Sequence, residues 1–186
     1  MSRIDDRSAI APELIGEVLN TASAFGDRAW FDKLVAAAKV TQDPAEGQAL
    51  IGALGQFRDP SIIESTFGLL LKDDFDIRRT VGLLFGPLGY WKTRELPYAW
   101  VKQNYDALAA RLPRVVESDM TAILPFTATG ACSAKSAADA EAFFKDKMTK
   151  AVGGPRTLAQ ALESIRLCAA RREAQQAGLA EFLKSY

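Results

Sequence analysis

The sequence predicts an all-α fold of antiparallel helix pairs, and three observations carry that expectation. Short acceptor residues recur at regular intervals ahead of helix-forming runs. Apolar residues inside those runs fall at helical spacing. No strand signal competes, because Asn-Gly and Asp-Gly dipeptides are absent and strict polar–apolar alternation is hard to find.

The first four helices announce themselves by their caps. Asp27 opens DRAWFDKLVAAAKV, Asp43-Pro44 opens DPAEGQALIGALGQF, Asp59-Pro60 opens DPSIIESTFGLLLK, and Asp76 opens DIRRTVGLLFG. In each, a carboxylate can accept from the unpaired amides of a first helical turn, and proline suits the position after the cap because its missing N–H had no partner there. The caps are spaced 16, 16 and 17 residues apart, so two such helices form a unit the size of a helical-hairpin repeat. Ala49, Leu50, Ala53, Leu54 and Phe57 share one face, and Ile62, Ile63, Phe67, Leu70 and Leu71 share the next. A bundle with short loops and a stacked solenoid both satisfy this pattern.

Gly86-Pro87-Leu88-Gly89-Tyr90 reads as a loop. A longer helical stretch follows from Thr93 to Leu112, ended by Pro113, with Pro97 placing the regular start later. A short apolar helix around Met120–Phe126, a loop through Gly130 and the run AADAEAFFKDKM come next. Gly153-Gly154-Pro155 separates that run from a last long stretch with a break at Gly178. No low-complexity linker divides the chain, so residues 1–186 read as one domain.

Composition narrows the chemistry. Of 186 residues, 48% are hydrophobic and 25% charged, which is ordinary for a globular chain. Lys+Arg and Asp+Glu are each 23, so no basic surplus points to nucleic acid. Trp30, Phe31, Trp91, Tyr98, Trp100 and Tyr105 then read as core packing or groove lining rather than as base-stacking platforms. There are no histidines. That removes His-based nucleophile activation, His-ligated zinc and the commonest general base at neutral pH.

Cys132 and Cys168 form no C-x-x-C pair and read as free thiols of a reducing, cytoplasmic setting. The opening MSRIDDRSAI lacks the apolar run of a secretory signal, and no stretch approaches ~18 apolar residues, so neither targeting nor membrane insertion is expected. Gly82, Gly86 and Gly89 do not form a dinucleotide fingerprint, and Gly153-Gly154 lacks the rest of a P-loop. Asp5-Asp6 and Asp73-Asp74 read as solvated pairs, and Arg171-Arg172 and Lys145-Lys147 as charged helix faces.

One stretch points further. Ala99-Trp100-Val101-Lys102-Gln103-Asn104-Tyr105-Asp106-Ala107-Leu108 resembles the A-W-x-[aromatic or aliphatic]-x-x-x-N-[aromatic]-x-x-L signature in the C-terminal helical domain of zinc aminopeptidases of the puromycin-sensitive and endoplasmic-reticulum type, the gluzincin aminopeptidases. Family members continue with a short apolar helix and a Phe-Phe segment, kept here by Met120–Phe126, Cys132-Ser133 and Glu141-Ala142-Phe143-Phe144. Arg156-Thr157, Gln160, Glu163 and Ile165 match a later Q-x-x-x-E-x-I core, and Leu179, Phe182 and Leu183 are similar to a final helix. Upstream, Gly26-Asp27 with Trp30-Phe31, and Ala49-Leu50-Gly52-Ala53-Leu54, keep the same order. Two departures stand out. Cys168 and Arg171 occupy positions where the family often has Asn and Trp, and the stretch from Gly89 to Trp100 is longer, with Trp91-Lys92-Thr93-Arg94 inside it.

The resemblance implies an α-α superhelix, HEAT/armadillo-like in its antiparallel helix pairs. It also implies a function: the C-terminal, non-catalytic domain of a zinc metallo-aminopeptidase that removes N-terminal residues from peptides. Such a domain caps the catalytic domain of the same polypeptide, encloses the peptide cavity and contributes distal substrate contacts. Zinc belongs to the catalytic domain, whose H-E-x-x-H and G-A-M-E-N motifs this chain lacks, so no catalytic or metal residue is expected here. Lys135, Arg156 and Arg94 are the candidate substrate-binding cations. Within the signature, Trp100, Tyr105 and Leu108 are expected as core anchors, with Asn104 bonded to a neighbouring backbone group; the alternative puts Trp100 on the peptide cavity. A free-standing helical-repeat adaptor binding a protein partner in its groove is the competing function, and a carboxylate-only enzyme is the third.

Overall fold

The computed structural model describes residues 11–115 and 117–185. Asp5-Asp6 therefore lie outside the described residues. The fold is all-α. Eight α-helices run through the described residues: α1 (Ile15–Ala24), α2 (Arg28–Val40), α3 (Pro44–Leu54), α4 (Pro60–Gly68), α5 (Ile77–Thr80), α6 (Leu96–Arg111), α7 (Ala134–Thr149) and α8 (Gly154–Lys184). Contacts gather into two compact units, Met1–Arg111 and Leu112–Tyr186.

All four expected caps are made. Asp27 accepts from the Trp30 amide at 2.9 Å, Asp43 from Ala45 at 2.9 Å, Asp59 from Ser61 at 2.8 Å and Asp76 from Arg78 at 2.9 Å. Pro44 and Pro60 sit in the first turns of their helices. Asp76 also accepts from the Arg78 guanidinium. That side-chain bond, together with the Arg78 amide, lowers the Asp76 pKa from its ordinary 3.8 to about 2. A depressed carboxylate stabilises the fold above its unfolded pKa and stops doing so as pH falls through its folded one. The contribution of Asp76 is thus complete above about pH 4 and lost toward pH 2. The group is exposed, so the slope it adds is shallow. Acid titration followed by circular dichroism should show a flatter stability slope in that window for Asp76→Asn; identical slopes would refute the shift.

In the first unit, α3 packs on both α1 and α2. The core they share includes Leu19, Leu34, Leu50, Leu54 and Phe57, and Phe31 meets Phe57 edge-on with ring centroids 5.7 Å apart. The segment after Asp76 tightens after one α-turn into a 3-10 turn, Val81–Leu84. Residues 86–90, expected as a loop, form a second 3-10 turn, Gly86–Gly89, followed by extended Tyr90. Its first glycine is demanded by packing: a Cβ on Gly86 would stand 1.9 Å from the Gly55 carbonyl oxygen. Gly86→Ala should therefore destabilise the chain by about 1–3 kcal/mol or more, as for other overpacked sites. A urea midpoint equal to the parent's would show that these two backbones do not touch.

Asp73-Asp74 is not a purely solvated pair. The two carboxylates point apart, Asp73 to Arg111 at 2.9 Å and Asp74 to Lys39 at 2.9 Å, so they tie the turn before α5 to α6 and to α2.

In the second unit, Pro113 stops the helical pattern and the chain turns through a minimal antiparallel ribbon, β1 (Arg114–Val115) with β2 (Ser118–Asp119). This ribbon carries no Asn-Gly or Asp-Gly signal and was not expected. Asp119 then caps the next segment through the Thr121 amide at 2.8 Å. The expected short apolar helix and loop are one continuous 3-10 run, Met120–Gly130, with Pro125 inside. Proline has no N–H to give an α-helical ladder, and Thr127 and Thr129 donate their hydroxyls to the Leu124 and Phe126 carbonyls.

Two further expectations are corrected at α8. Gly154-Pro155 is the first turn of the helix, not a spacer. Gly153 is the cap, in the left-handed region at φ +77°, where a side chain is strained. The helix also runs 31 residues without a break at Gly178. Every residue from Ala170 to Ser185 is exposed, and a Cβ at Gly178 would meet open space, so packing imposes no break there.

The largest correction concerns the cysteines. Cys132 and Cys168 are not free thiols; their sulfurs are bonded, with Cα atoms 5.2 Å apart. The bond joins the residue before the α7 cap to the middle of α8. At the other end of this pair, the Gly154 backbone approaches the Met148 carbonyl so closely that a Cβ there would be 2.4 Å away. Helices α7 and α8 are therefore antiparallel.

Candidate functional site

The signature helix α6 presents two stripes. Pro97, Val101, Tyr105 and Leu108, at offsets of zero, four, eight and eleven, are buried. Leu96, Ala99, Trp100 and Gln103, at offsets of zero, three, four and seven, line a groove instead. The opposite wall is α4, whose Pro60, Ile63, Glu64 and Phe67 repeat the same spacing, with Ser61 beside them. The groove holds about 330 Å³.

Its floor is aromatic. Phe67 is fully buried, and the half-buried Trp100 ring lies 5.4 Å from it at 50°. Tyr105 and Leu108 are core anchors as expected. Trp100 is not: one residue from the core stripe, it is rotated about 100° around the helix from Val101 and faces the groove. Asn104 bonds a backbone group, as expected. Its amide donates at 2.9 Å to the carbonyl of Trp100, one turn earlier on the same helix.

The rim is polar. Glu64 and Gln103 are exposed. Arg28 reaches the same end of α4, donating to the Ser65 hydroxyl at 2.9 Å and the Ser61 carbonyl at 3.3 Å. Asp59 is occupied as the α4 cap; its bonds to the Ser61 hydroxyl and amide hold its pKa below the ordinary carboxylate value. Sequence reasoning assigned Ile63 and Phe67 to the core and missed Glu64 and Gln103. The signal was the second stripe, in which polar residues interrupt the apolar ones on one face.

The candidate cations Lys135 and Arg156 stand apart within the second unit. Lys135 is exposed in the first turn of α7, and Arg156 is exposed in the first turn of α8. Since these helices are antiparallel, the two residues lie at opposite ends of the pair, separated by roughly the 24 Å length of a sixteen-residue helix. Arg94 is half-buried just ahead of α6 in the first unit, its amide bonded to the Tyr90 carbonyl at 3.0 Å. No hydrogen bond or ion pair among the described residues joins any two of them.

Among the described residues no group of side chains has the make-up of a catalytic metal site. The chain has no histidine, its two cysteines are bonded to each other, and no cluster of three potential ligands occurs among the described residues. No helix among those residues is long and apolar enough to cross a membrane.

A family model described as the ERAP1-like C-terminal domain matches residues 2–167, across both compact units. Among curated proteins, Aminopeptidase 2 of Candida albicans is 29% identical over 168 residues, 86% of this chain and 17% of the relative. Aminopeptidase 2, mitochondrial, of Saccharomyces cerevisiae is 29% identical over 152 residues, 80% of this chain and 15% of the relative. The alanine/arginine aminopeptidase of Saccharomyces cerevisiae is 28% identical over 169 residues, 87% of this chain and 18% of the relative. The chain thus spans less than a fifth of the length of each.

Proposed function

This chain belongs to the ERAP1-like C-terminal domain family; from that premise we propose that it is the C-terminal domain of a zinc-dependent aminopeptidase, caps that parent's catalytic domain, closes one side of the peptide cavity and contacts the substrate far from its N-terminus. The observation that carries the reading is the family match over residues 2–167. That match runs through both compact units, so the two serve as one functional domain. Zinc and the hydrolytic step belong to the catalytic domain, and the partners are that domain and the peptide.

Lys135, Arg156 and Arg94 are the proposed distal cations. Two of them support the role by their position. Lys135 and Arg156 occupy first turns, where the helix dipole disfavours positive charge, so neither gains from its own helix. Given their separation, each would hold a different part of the peptide.

The test is made in the full-length parent. Lys135→Ala, Arg156→Ala and Arg94→Ala should raise KM for long peptides by about three- to tenfold, as expected for losing one charge-assisted contact of roughly 1 kcal/mol. Turnover of an aminoacyl-amide, which is too short to reach this domain, should not change. Equal losses on both substrates would overturn the distal role. A reading frame with no zinc motif upstream would favour the free-standing adaptor.

The compartment is also proposed. The Cys132–Cys168 bond weighs against the cytoplasmic expectation, since reducing compartments keep such pairs open. An oxidising compartment is the reading it favours.

A further inference from the structure

Cations and aromatic rings alternate on one exposed face of the first unit. The Arg58 guanidinium lies over the rings of both Phe25 and Tyr90, 4.9 and 4.7 Å from their centroids. The Tyr90 ring is 6.4 Å from Trp91, and the Lys92 ammonium lies 5.3 Å over Trp91. Three separate segments supply these groups: the end of α1, the α3–α4 connection and the stretch ahead of α6. The rings are not there to fill a core, for Phe25 is 78% and Trp91 70% exposed.

The cations are not committed either. Among the described residues no carboxylate pairs with Arg58 or Lys92. Asp59, the neighbour of Arg58 in sequence, is taken up by its cap. The two rings lie over the guanidinium and leave its in-plane N–H donors to other partners, and among the described residues no hydrogen bond takes them. A rigid fork of this kind matches a carboxylate bidentately. Trp, Tyr and Arg together are also the residue types that dominate protein–protein hot spots.

We propose that this face docks an acidic segment of a protein partner, with a carboxylate on Arg58, a second acidic group near Lys92 and an intervening apolar side chain on Trp91. A lipid surface or a nucleotide is less well matched. Both call for a concentrated positive field, whereas this chain carries equal numbers of cationic and anionic side chains.

The test uses the 186-residue chain and a dye-labelled synthetic peptide of alternating Glu and Leu, read by fluorescence anisotropy. The peptide should bind, and its Gln-for-Glu counterpart should bind at least about tenfold more weakly. Arg58→Ala and Trp91→Ala should each weaken the Glu-Leu peptide by about tenfold, with melting temperatures unchanged because both side chains are exposed. Arg58→Lys, which keeps charge but not the fork, should recover only part of the loss. Undetectable binding of the Glu-Leu peptide, or full binding to Arg58→Ala, would overturn the proposal. So would binding of phosphatidylserine vesicles or ATP that the peptide cannot displace.

Discussion

Replacing Cys132 and Cys168 together by serine is expected to cost roughly 4 kcal/mol of stability. The bond closes a loop of 36 residues, and the chain-entropy treatment of a loop that long gives roughly this value at 25 °C. The closed loop includes all of α7 and the first half of α8, so the loss should fall on the second unit. The cap of α7 is adjacent: Ser133 accepts from the Ser136 amide at 3.0 Å, and it follows directly on the bonded residue. Opening the bond frees both the α7 start and its grip on α8. The measurement is urea unfolding of the oxidised protein, the protein in excess dithiothreitol and the double serine variant. The last two should coincide well below the first. A loss under about 1 kcal/mol would mean that the packing of α7 on α8 already suffices without the bond.

Phe144→Ala should be comparably severe, at about 3–5 kcal/mol, the range for removing a fully buried large aromatic. The Phe144 side chain has no exposed surface and meets Phe143 edge-on at 4.9 Å. Its loss leaves a cavity among α7 and its neighbours. Phe143→Ala is the internal control. That ring is half-buried, with the Lys147 ammonium 4.5 Å over its face, and its truncation should cost about 1 kcal/mol. Equal denaturation midpoints for the two variants would contradict the burial assigned to each.

The Phe-Phe pair shows how far local pattern reaches. Adjacent residues on a helix differ by about 100°, so only one of the two can face the core squarely. The sequence does not say which. On α6 the same rotation moves Trp100 off the stripe of Val101, Tyr105 and Leu108 and onto the groove against Phe67. Trp100 was expected in the core because a large aromatic at helical spacing usually packs there. What it packs against is contributed by α4, more than thirty residues earlier in the chain, and no local signal carries that information.

Helix starts were legible because capping is a local event. A carboxylate and an amide two or three residues apart meet whatever the rest of the chain does, and Asp27, Asp43, Asp59 and Asp76 all cap as their positions indicate. The absence of strand patterning fixed the all-α class for the same reason, and the absence of histidine excluded its chemistry outright. Contacts between distant segments were decided by tertiary structure alone. Cys132 meets Cys168 only because α7 and α8 run antiparallel with Gly154 admitting the Met148 carbonyl at the turn. Arg58 meets Phe25 and Tyr90 only because the fold gathers three connections at one surface. Propensity and capping act over a few residues along the backbone, whereas burial and pairing depend on which faces come to lie opposite one another.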